Sequence, residues 1–186
     1  MHVGGAQGAG KTTILKKYTI SPKYPTCVIS LSMLLNSMGI EEFDSRWISL
    51  NEKQKKFIRK KAVSYIMSLD GYRLVILDSH YVDMTDNVKK SVMPASFRGR
   101  VDIHVVIETK DNEILKRRLN DNSRKRVCDI DAIEAESLAE KEEAATIAKE
   151  YLKPVYIITN NSIEEATELF ADVIDKHILG TGLNMH

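Results

Sequence analysis

Cysteine is almost missing from this chain: Cys27 and Cys128 are the only two, they lie far apart, and no C-x-x-C pair exists. That excludes a thiolate zinc site and a redox dithiol, and it fits a reducing cytosol. Net charge is nearly missing too, at +1, so no global basic field argues for nucleic acid as a partner. No apolar run approaches the length of a membrane span, which argues against a membrane partner. The first motif begins within a few residues of Met1, leaving no room for a signal peptide, and a cytoplasmic protein is expected. Repeats, low-complexity tracts and Pro/Gly/Ser linkers are absent as well. The 186 residues are therefore expected to form one domain, residues 1–186, large enough to bury a sizeable core.

What is present is an alternation. Short apolar runs at His2–Val3, Thr26–Ser30, Leu74–Leu77, Ile103–Ile107 and Val155–Ile158 read as strands, separated by segments of helical period. The last four are near-continuous apolar runs, as expected of strands buried on both faces. The pattern predicts an α/β fold, three layers α/β/α around a mostly parallel five-stranded sheet. Asn51 with Gln54 resembles a capping box, followed by a face of Ile58, Ala62, Tyr65, Ile66 and Leu69. Leu115 and Leu119 mark a weaker face on a helix starting near Asp111. Ile130, Ile133, Ser137, Leu138, Ala144, Ala145, Ala148 and Tyr151 form a long stripe that Pro154 closes, and Ser162 with Glu165 is expected to form a capping box that opens the last helix.

Between the first strand and the first helix, Gly5-Ala6-Gln7-Gly8-Ala9-Gly10-Lys11-Thr12 matches G-x-x-x-x-G-K-[ST] in full. Gly8 and Gly10 allow backbone conformations in which successive N–H groups point at an anion. Lys11 reaches toward the β- and γ-phosphates, Thr12 offers a hydroxyl to Mg²⁺, and the helix directs its positive end at the phosphates. The motif predicts a nucleoside triphosphate.

What surrounds the cradle separates transfer from hydrolysis and from sensing. Leu74–His80 reads as an apolar strand ending in Asp78, the place for a carboxylate of the magnesium shell. Ser79 follows it where a water-polarising Glu would stand in a motor, and no N-K-x-D is present for guanine recognition. Arginine is abundant instead: Arg117, Arg118, Arg124 and Arg126 lie between one helix end and the next helix start. Guanidinium forks neutralise the equatorial charge of a phosphoryl group in flight, so Arg124 and Arg126 are expected on a short lid at about residues 120–130. A solvated basic helix end is the competing explanation. No fixed catalytic base stands out, which suits a phosphate acceptor that is already largely ionised at neutral pH.

These residues resemble the archaeal-type adenylate kinases along most of the chain. The likeness runs through "GAQGAGKTT", through Leu50–Ala62, through Asp78-Ser79-His80, and most closely through "ETKDNEILKRRLNDNSRKR" at Glu108–Arg126. The resemblance implies a compact P-loop kinase with a short lid that transfers phosphate from Mg-ATP to AMP to give two ADP. It implies that Gly5, Ala6, Gln7, Gly8, Ala9, Gly10, Lys11, Thr12 and Thr13 bind the ATP phosphates. Lys11, Arg124 and Arg126 would be catalytic, and Thr12 and Asp78 would hold the metal. Residues 30–60 would close over the acceptor monophosphate, with Arg46 as its phosphate ligand and His80 close to it. Asn160 and Asn161 fall where the family contacts adenine, and trimers among relatives imply a homo-oligomer.

The chain departs from the family after His80. Members carry Thr-Pro and a Gly/Pro/Leu-rich loop there, whereas this chain reads "YVDMTDNVKKSVMPASFRGR". Arg98 and Arg100 are either acceptor-phosphate contacts or part of a solvated loop. Trp47 either stacks on a base or packs, and His80 either orients the Asp78 region or touches the acceptor, or is simply a hydrogen-bonded histidine at a strand end. The expected function is an adenylate-kinase-type nucleoside monophosphate kinase. A P-loop kinase for a different monophosphate or small-molecule acceptor, and a non-catalytic or assembly-linked ATPase switch, are the other uses of the same motif.

Overall fold

The stretches between successive apolar runs are each long enough to carry a crossover helix, which favours parallel pairing, and the chain folds that way. The computed structural model describes residues 1–84, 89–121 and 127–181, with the backbone alone at 96 and 181. In chain order the elements are β1 (His2–Gly4), α1 (Lys11–Ile20), β2 (Thr26–Ser30), α2 (Leu31–Phe43), a 3₁₀ turn (Trp47–Ser49), α3 (Glu52–Met67), β3 (Leu74–Asp78), β4 (Val82–Asp83), β5 (Lys90–Ser91), α4 (Ala95–Arg98), β6 (His104–Glu108), α5 (Asp111–Leu119), α6 (Ile130–Glu150), β7 (Val155–Thr159) and α7 (Ile163–Thr181).

Five strands form one parallel sheet in the order β2-β3-β1-β6-β7. Its centre is β1, with His2 beside Leu77 and His104, and Gly4 beside Val106. The short first strand is therefore the middle of the sheet, and the loop after it leaves from the carboxyl ends of the strands, where ligands bind in open α/β sheets. Side chains alternate across the sheet. Val3, Ile76, Val105 and Ile107 enter one apolar cluster with α1, α5 and α7, whereas Ile29, Leu77 and Val106 enter a second with α2, α3 and α6. Two of the four apolar runs are not buried on both faces: β2 and β7 are the sheet edges, and Val28, Val155 and Ile157 stay exposed. The antiparallel pair β4–β5, with Val82 opposite Ser91, had no counterpart in the sequence pattern.

The caps form where the sequence places them. Asn51 Oδ1 accepts from the Gln54 N–H at 3.0 Å while Gln54 Oε1 accepts from the Asn51 N–H at 3.0 Å, a complete capping box. At the start of α7 only half of the expected box forms among the described residues: Ser162 Oγ accepts from the Glu165 N–H at 3.2 Å, without a return bond from the Glu165 side chain. Two helix faces differ from the apolar reading. In α5 the buried pair is Ile114 and Arg118, and Leu119 is exposed. In α6 the buried face runs through Ile133, Ala139, Glu140, Ala144, Ile147 and Ala148, leaving Leu138 and Ala145 outside. The reason is the same in both: a fully hydrogen-bonded polar side chain occupies the inward position that an apolar count assigns to its neighbour. Among the described residues no helix is long and apolar enough to cross a membrane.

Two histidines are sealed between the central strands. His2 and His104 are 1% and 0% exposed, and among the described residues both His2 ring nitrogens and His104 Nε2 meet no hydrogen-bond partner. Tyr81, also fully buried, reaches His104 Nδ1 at 3.3 Å and the His2 carbonyl at 3.2 Å with its hydroxyl. Burial lowers His104 from 6.5 to about 4 and pushes His2 well below its ordinary value. The unfolded chain therefore binds protons between pH 6.5 and 4 that the fold refuses, so stability is full above this window and falls as pH drops through it. Each histidine contributes a slope of at most about 1.4 kcal/mol per pH unit. Denaturant unfolding at pH 7.5 and pH 5 should show the loss, and a His104→Leu variant should show a flatter dependence. An equal slope in that variant would remove His104 from the account.

Candidate functional site

The loop from Gly4 to Lys11 folds tightly against the sheet because three glycines take conformations closed to other residues: φ is 130° at Gly5, 94° at Gly8 and 100° at Gly10. The Ala9 N–H bonds the Ala6 carbonyl at 3.1 Å, and the Thr13 N–H bonds Gly10 at 3.1 Å, which starts α1. Among the described residues the N–H groups of Gly8, Gly10, Lys11 and Thr12 meet no acceptor. These are the orphan donors of a helix start together with the loop before it, an arrangement suited to a phosphate. Lys11 is buried and folds its ammonium back onto the carbonyls of Gly5 and Ala6, the latter at 3.3 Å. Burial lowers its pKa, and the charges of Glu140, Asp78 and Glu136 oppose that shift.

Thr12 Oγ1 donates to Asp78 Oδ2 at 3.2 Å, joining the first turn of α1 to the end of the neighbouring strand β3. A hydroxyl and a carboxylate are hard oxygen donors, and a single carboxylate fits Mg²⁺, which keeps most of its shell as water and phosphate oxygen. Among the described residues no group of three or more His, Cys, Asp or Glu side chains stands ready for a metal.

The loop is braced from behind by residues the apolar pattern concealed. Arg118, 4% exposed, donates through Nε to the Gln7 carbonyl at 2.9 Å, through Nη1 to the Val127 carbonyl at 3.0 Å, and through Nη2 to Glu136 at 2.7 Å. Glu136 in turn accepts from the Gln7 N–H at 2.7 Å, so the two peptides flanking Gln7 are both held. Arg117 donates to the Gly8 carbonyl at 3.0 Å. Both arginines belong to the basic run, but a one-dimensional sequence does not say that they point at main-chain carbonyls. Asn160 is buried and donates through Nδ2 to the Ala9 carbonyl at 2.7 Å, with Oδ1 left unpartnered; Asn161 beside it is exposed. The side chain read as an adenine contact is thus engaged with the phosphate loop.

On the other side of Asp78, Glu140 from the middle of α6 accepts from the Gly5 N–H and the Tyr81 N–H, each at 2.9 Å, and lies 3.0 Å from His80 Nδ1. His80 therefore sits between the strand end and α6, half-exposed. Arg46 is exposed at the start of the 3₁₀ turn and is not brought to the cradle by any hydrogen bond. Trp47 lies under the Arg59 guanidinium, 5.1 Å from its carbon, and packs against the second apolar cluster. Arg98 is structural: it bonds the Met93 carbonyl at 3.2 Å and Ser91 at 2.8 Å and pairs with Glu143 and Glu150 of α6. Arg124 and Arg126 lie outside the described residues.

Three comparisons bear on this arrangement. A family model described as "AAA domain" matches residues 4–137. The chain is 29% identical over 133 residues to an adenylate kinase of Methanococcus vannielii, covering 67% of this chain and 69% of that one. Among solved structures it is similar to a thymidylate kinase from Candida albicans, with a TM-score of 0.56 and 15% identity over 95% of this chain and 90% of that chain. It is also similar to a shikimate kinase from Bacteroides thetaiotaomicron, with a TM-score of 0.53 and 15% identity over 94% and 97%. At those identities the two structures speak for the fold alone. The chain belongs to the AAA domain family, and the likeness to adenylate kinases read from its sequence is one that the Methanococcus relative bears out.

Proposed function

We propose that this chain is a single-domain, ATP-dependent phosphotransferase of the nucleoside monophosphate kinase type, passing the γ-phosphoryl group of ATP to AMP to give two ADP. The observation that carries the reading is the complete cradle with the Thr12–Asp78 pair at 3.2 Å beside it, at the carboxyl ends of β1 and β3. The adenylate kinase relative supports the acceptor class.

In this reading the free N–H groups of Gly8, Gly10, Lys11 and Thr12 take the phosphate oxygens. Lys11 turns from the carbonyls of Gly5 and Ala6 to the transferred group, an exchange that returns a buried ammonium to an anion. Arg117 and Arg118 keep the loop in shape by holding Gly8 and Gln7, so its donors do not have to reorganise during transfer. Thr12 and Asp78 would hold Mg²⁺, which neutralises charge on the phosphates when bound. Arg124 and Arg126 are assigned the transferred group from the resemblance, Arg46 and His80 the acceptor, and Asn160 and Asn161 the neighbourhood of adenine. A phosphate acceptor needs no base at neutral pH, in keeping with a site built of donors and cations.

A second reading is a kinase for another small acceptor. It is favoured by the β4–β5 pair and α4, which replace the family's loop after His80 and are locked to α6 through Arg98. ADP formation from Mg-ATP with AMP, CMP, UMP, GMP, dTMP, shikimate or no acceptor separates the two. Stimulation by AMP well above the others is expected. Stimulation by one of the others moves the substrate to that compound, and none at all, with ATP still bound, leaves the nucleotide switch.

A further inference from the structure

A negative charge under a phosphate site is an unusual thing to bury. Glu140 is 0% exposed, sits on the inward face of α6, and has Gly5 of the phosphate loop on one side and the residues after Asp78 on the other. Its Oε2 is filled by two N–H donors, from Gly5 and Tyr81, both at 2.9 Å. Its Oε1 has His80 Nδ1 at 3.0 Å. The two peptide N–H groups are separated by 76 positions in the chain and meet on one oxygen, so the carboxylate ties the acceptor side of the site to the cradle.

Tyr81 makes that tie stiff. Its ring lies under Gly4, where an added Cβ would stand 2.2 Å from Cδ2, and its hydroxyl is held by His2 and His104. The main chain at Tyr81 therefore cannot drift from β1, and His80, one residue earlier, is free only in its ring. Burial alone would raise the Glu140 pKa, but the bond from His80 and its charge when protonated, the Tyr81 N–H and the nearby Lys11 charge outweigh it and hold the carboxyl below its ordinary value. An ionised carboxylate has no proton to give, so the ring nitrogen facing it must be the donor.

We infer that Glu140 is a positioning residue that fixes His80 in the tautomer with the proton on Nδ1, so that Nε2 is presented to the acceptor as a bare hydrogen-bond acceptor. The kinetic part of this inference rests on the phosphotransferase reading. A neutral ring can offer either edge, and which one is protonated is set by the partner of the other nitrogen. Here that partner is a buried carboxylate anchored by two backbone donors, a partner whose orientation is not negotiable.

The Glu140→Gln variant tests it without removing the tie. The glutamine carbonyl takes the Gly5 and Tyr81 N–H groups, because the reverse orientation would press three donors together. Its NH₂ then faces Nδ1 and forces the proton to Nε2. Ring ¹⁵N spectra of His80, recorded near pH 9 where imidazoles are neutral, should show an Nδ1–H ring in the parent and an Nε2–H ring in the variant. Acceptor-dependent turnover should fall about tenfold, the effect of losing the partner that orients an imidazole, while the KM for ATP and the thermal midpoint stay put. In a His80→Ala background the same glutamine should cost nothing further. An Nε2–H ring in the parent, or a variant that keeps the parent's tautomer, overturns the assignment. A switched tautomer with unchanged turnover overturns the positioning role. If the parent turns over no acceptor, the phosphotransfer reading fails and takes the kinetic role with it, while the ring spectra still decide the tautomer.

Discussion

Lys11→Met should lower acceptor-dependent ATP consumption by at least about 10²–10³-fold and leave the fold in place. The side chain is 8% exposed and its stem lies among the buried residues of α1, so methionine keeps the packed carbons and removes only the ammonium. What is lost at the ground state is modest: the buried carbonyls of Gly5 and Ala6 give up a donor, at a cost of about 1–3 kcal/mol. What is lost in the transition state is the one buried cation that the described residues place in the cradle itself. Arg118 cannot substitute, because Nε, Nη1 and Nη2 are all engaged with Gln7, Val127 and Glu136, and Arg117 is turned to the Gly8 carbonyl. The split between the two effects is the test. Turnover should collapse while the unfolding midpoint stays within a few degrees, and a variant that retains parental turnover would remove this loop from the chemistry.

The difference between Lys11 and its neighbours also explains what was legible in the sequence. The G-x-x-x-x-G-K-T spacing is a local code, because glycine φ values, helix start and lysine all act within a few residues, and it was readable in one dimension. So were the caps at Asn51 and Ser162, which are fixed by contacts three residues apart. The strand runs were found to within about a residue, although β2 and β7 hide their edge position, since an apolar run does not say whether a further strand lies beside it. Arg118, Glu136, Glu140 and Asn160 were missed as braces of the loop for a different reason. Their partners stand 111, 129, 135 and 151 positions away, and only the fold brings them within hydrogen-bond distance. A buried Arg or Glu also reads as a break in an apolar stripe, so the apolar pattern of α5 and α6 points to faces displaced from the buried ones. The one available signal was that displacement: in each helix a charged residue sits where the 3.6-residue period asks for an inward side chain.

Gly5 carries the second large expectation, because there the code for phosphate binding and the code for the sheet coincide. Its φ of 130° is closed to L side chains, and an added Cβ would stand 2.1 Å from the Ile107 carbonyl oxygen. Ile107 belongs to β6, paired on one side with β1 and on the other with β7, so that oxygen has nowhere to retreat. Gly5→Ala should therefore destabilise by about 4 kcal/mol or more, in the range of severe core and strain substitutions, or fail to fold. Two other glycines calibrate the claim. Gly71 has φ of 83° and nothing within 4 Å of its would-be Cβ, so alanine there meets backbone strain alone, about 1–2 kcal/mol. Gly180 lies in α7 with open space and an ordinary φ, and alanine should stabilise it by about 0.5–1 kcal/mol. Urea midpoints at constant m-value read all three. The order Gly180→Ala above parent, Gly71→Ala below and Gly5→Ala far below is required; a Gly5→Ala protein as stable as Gly71→Ala would mean that the loop is free to move off the sheet. If it were free, Glu140 would hold nothing by bonding the Gly5 N–H, and the preorganisation assigned to the cradle would go with it.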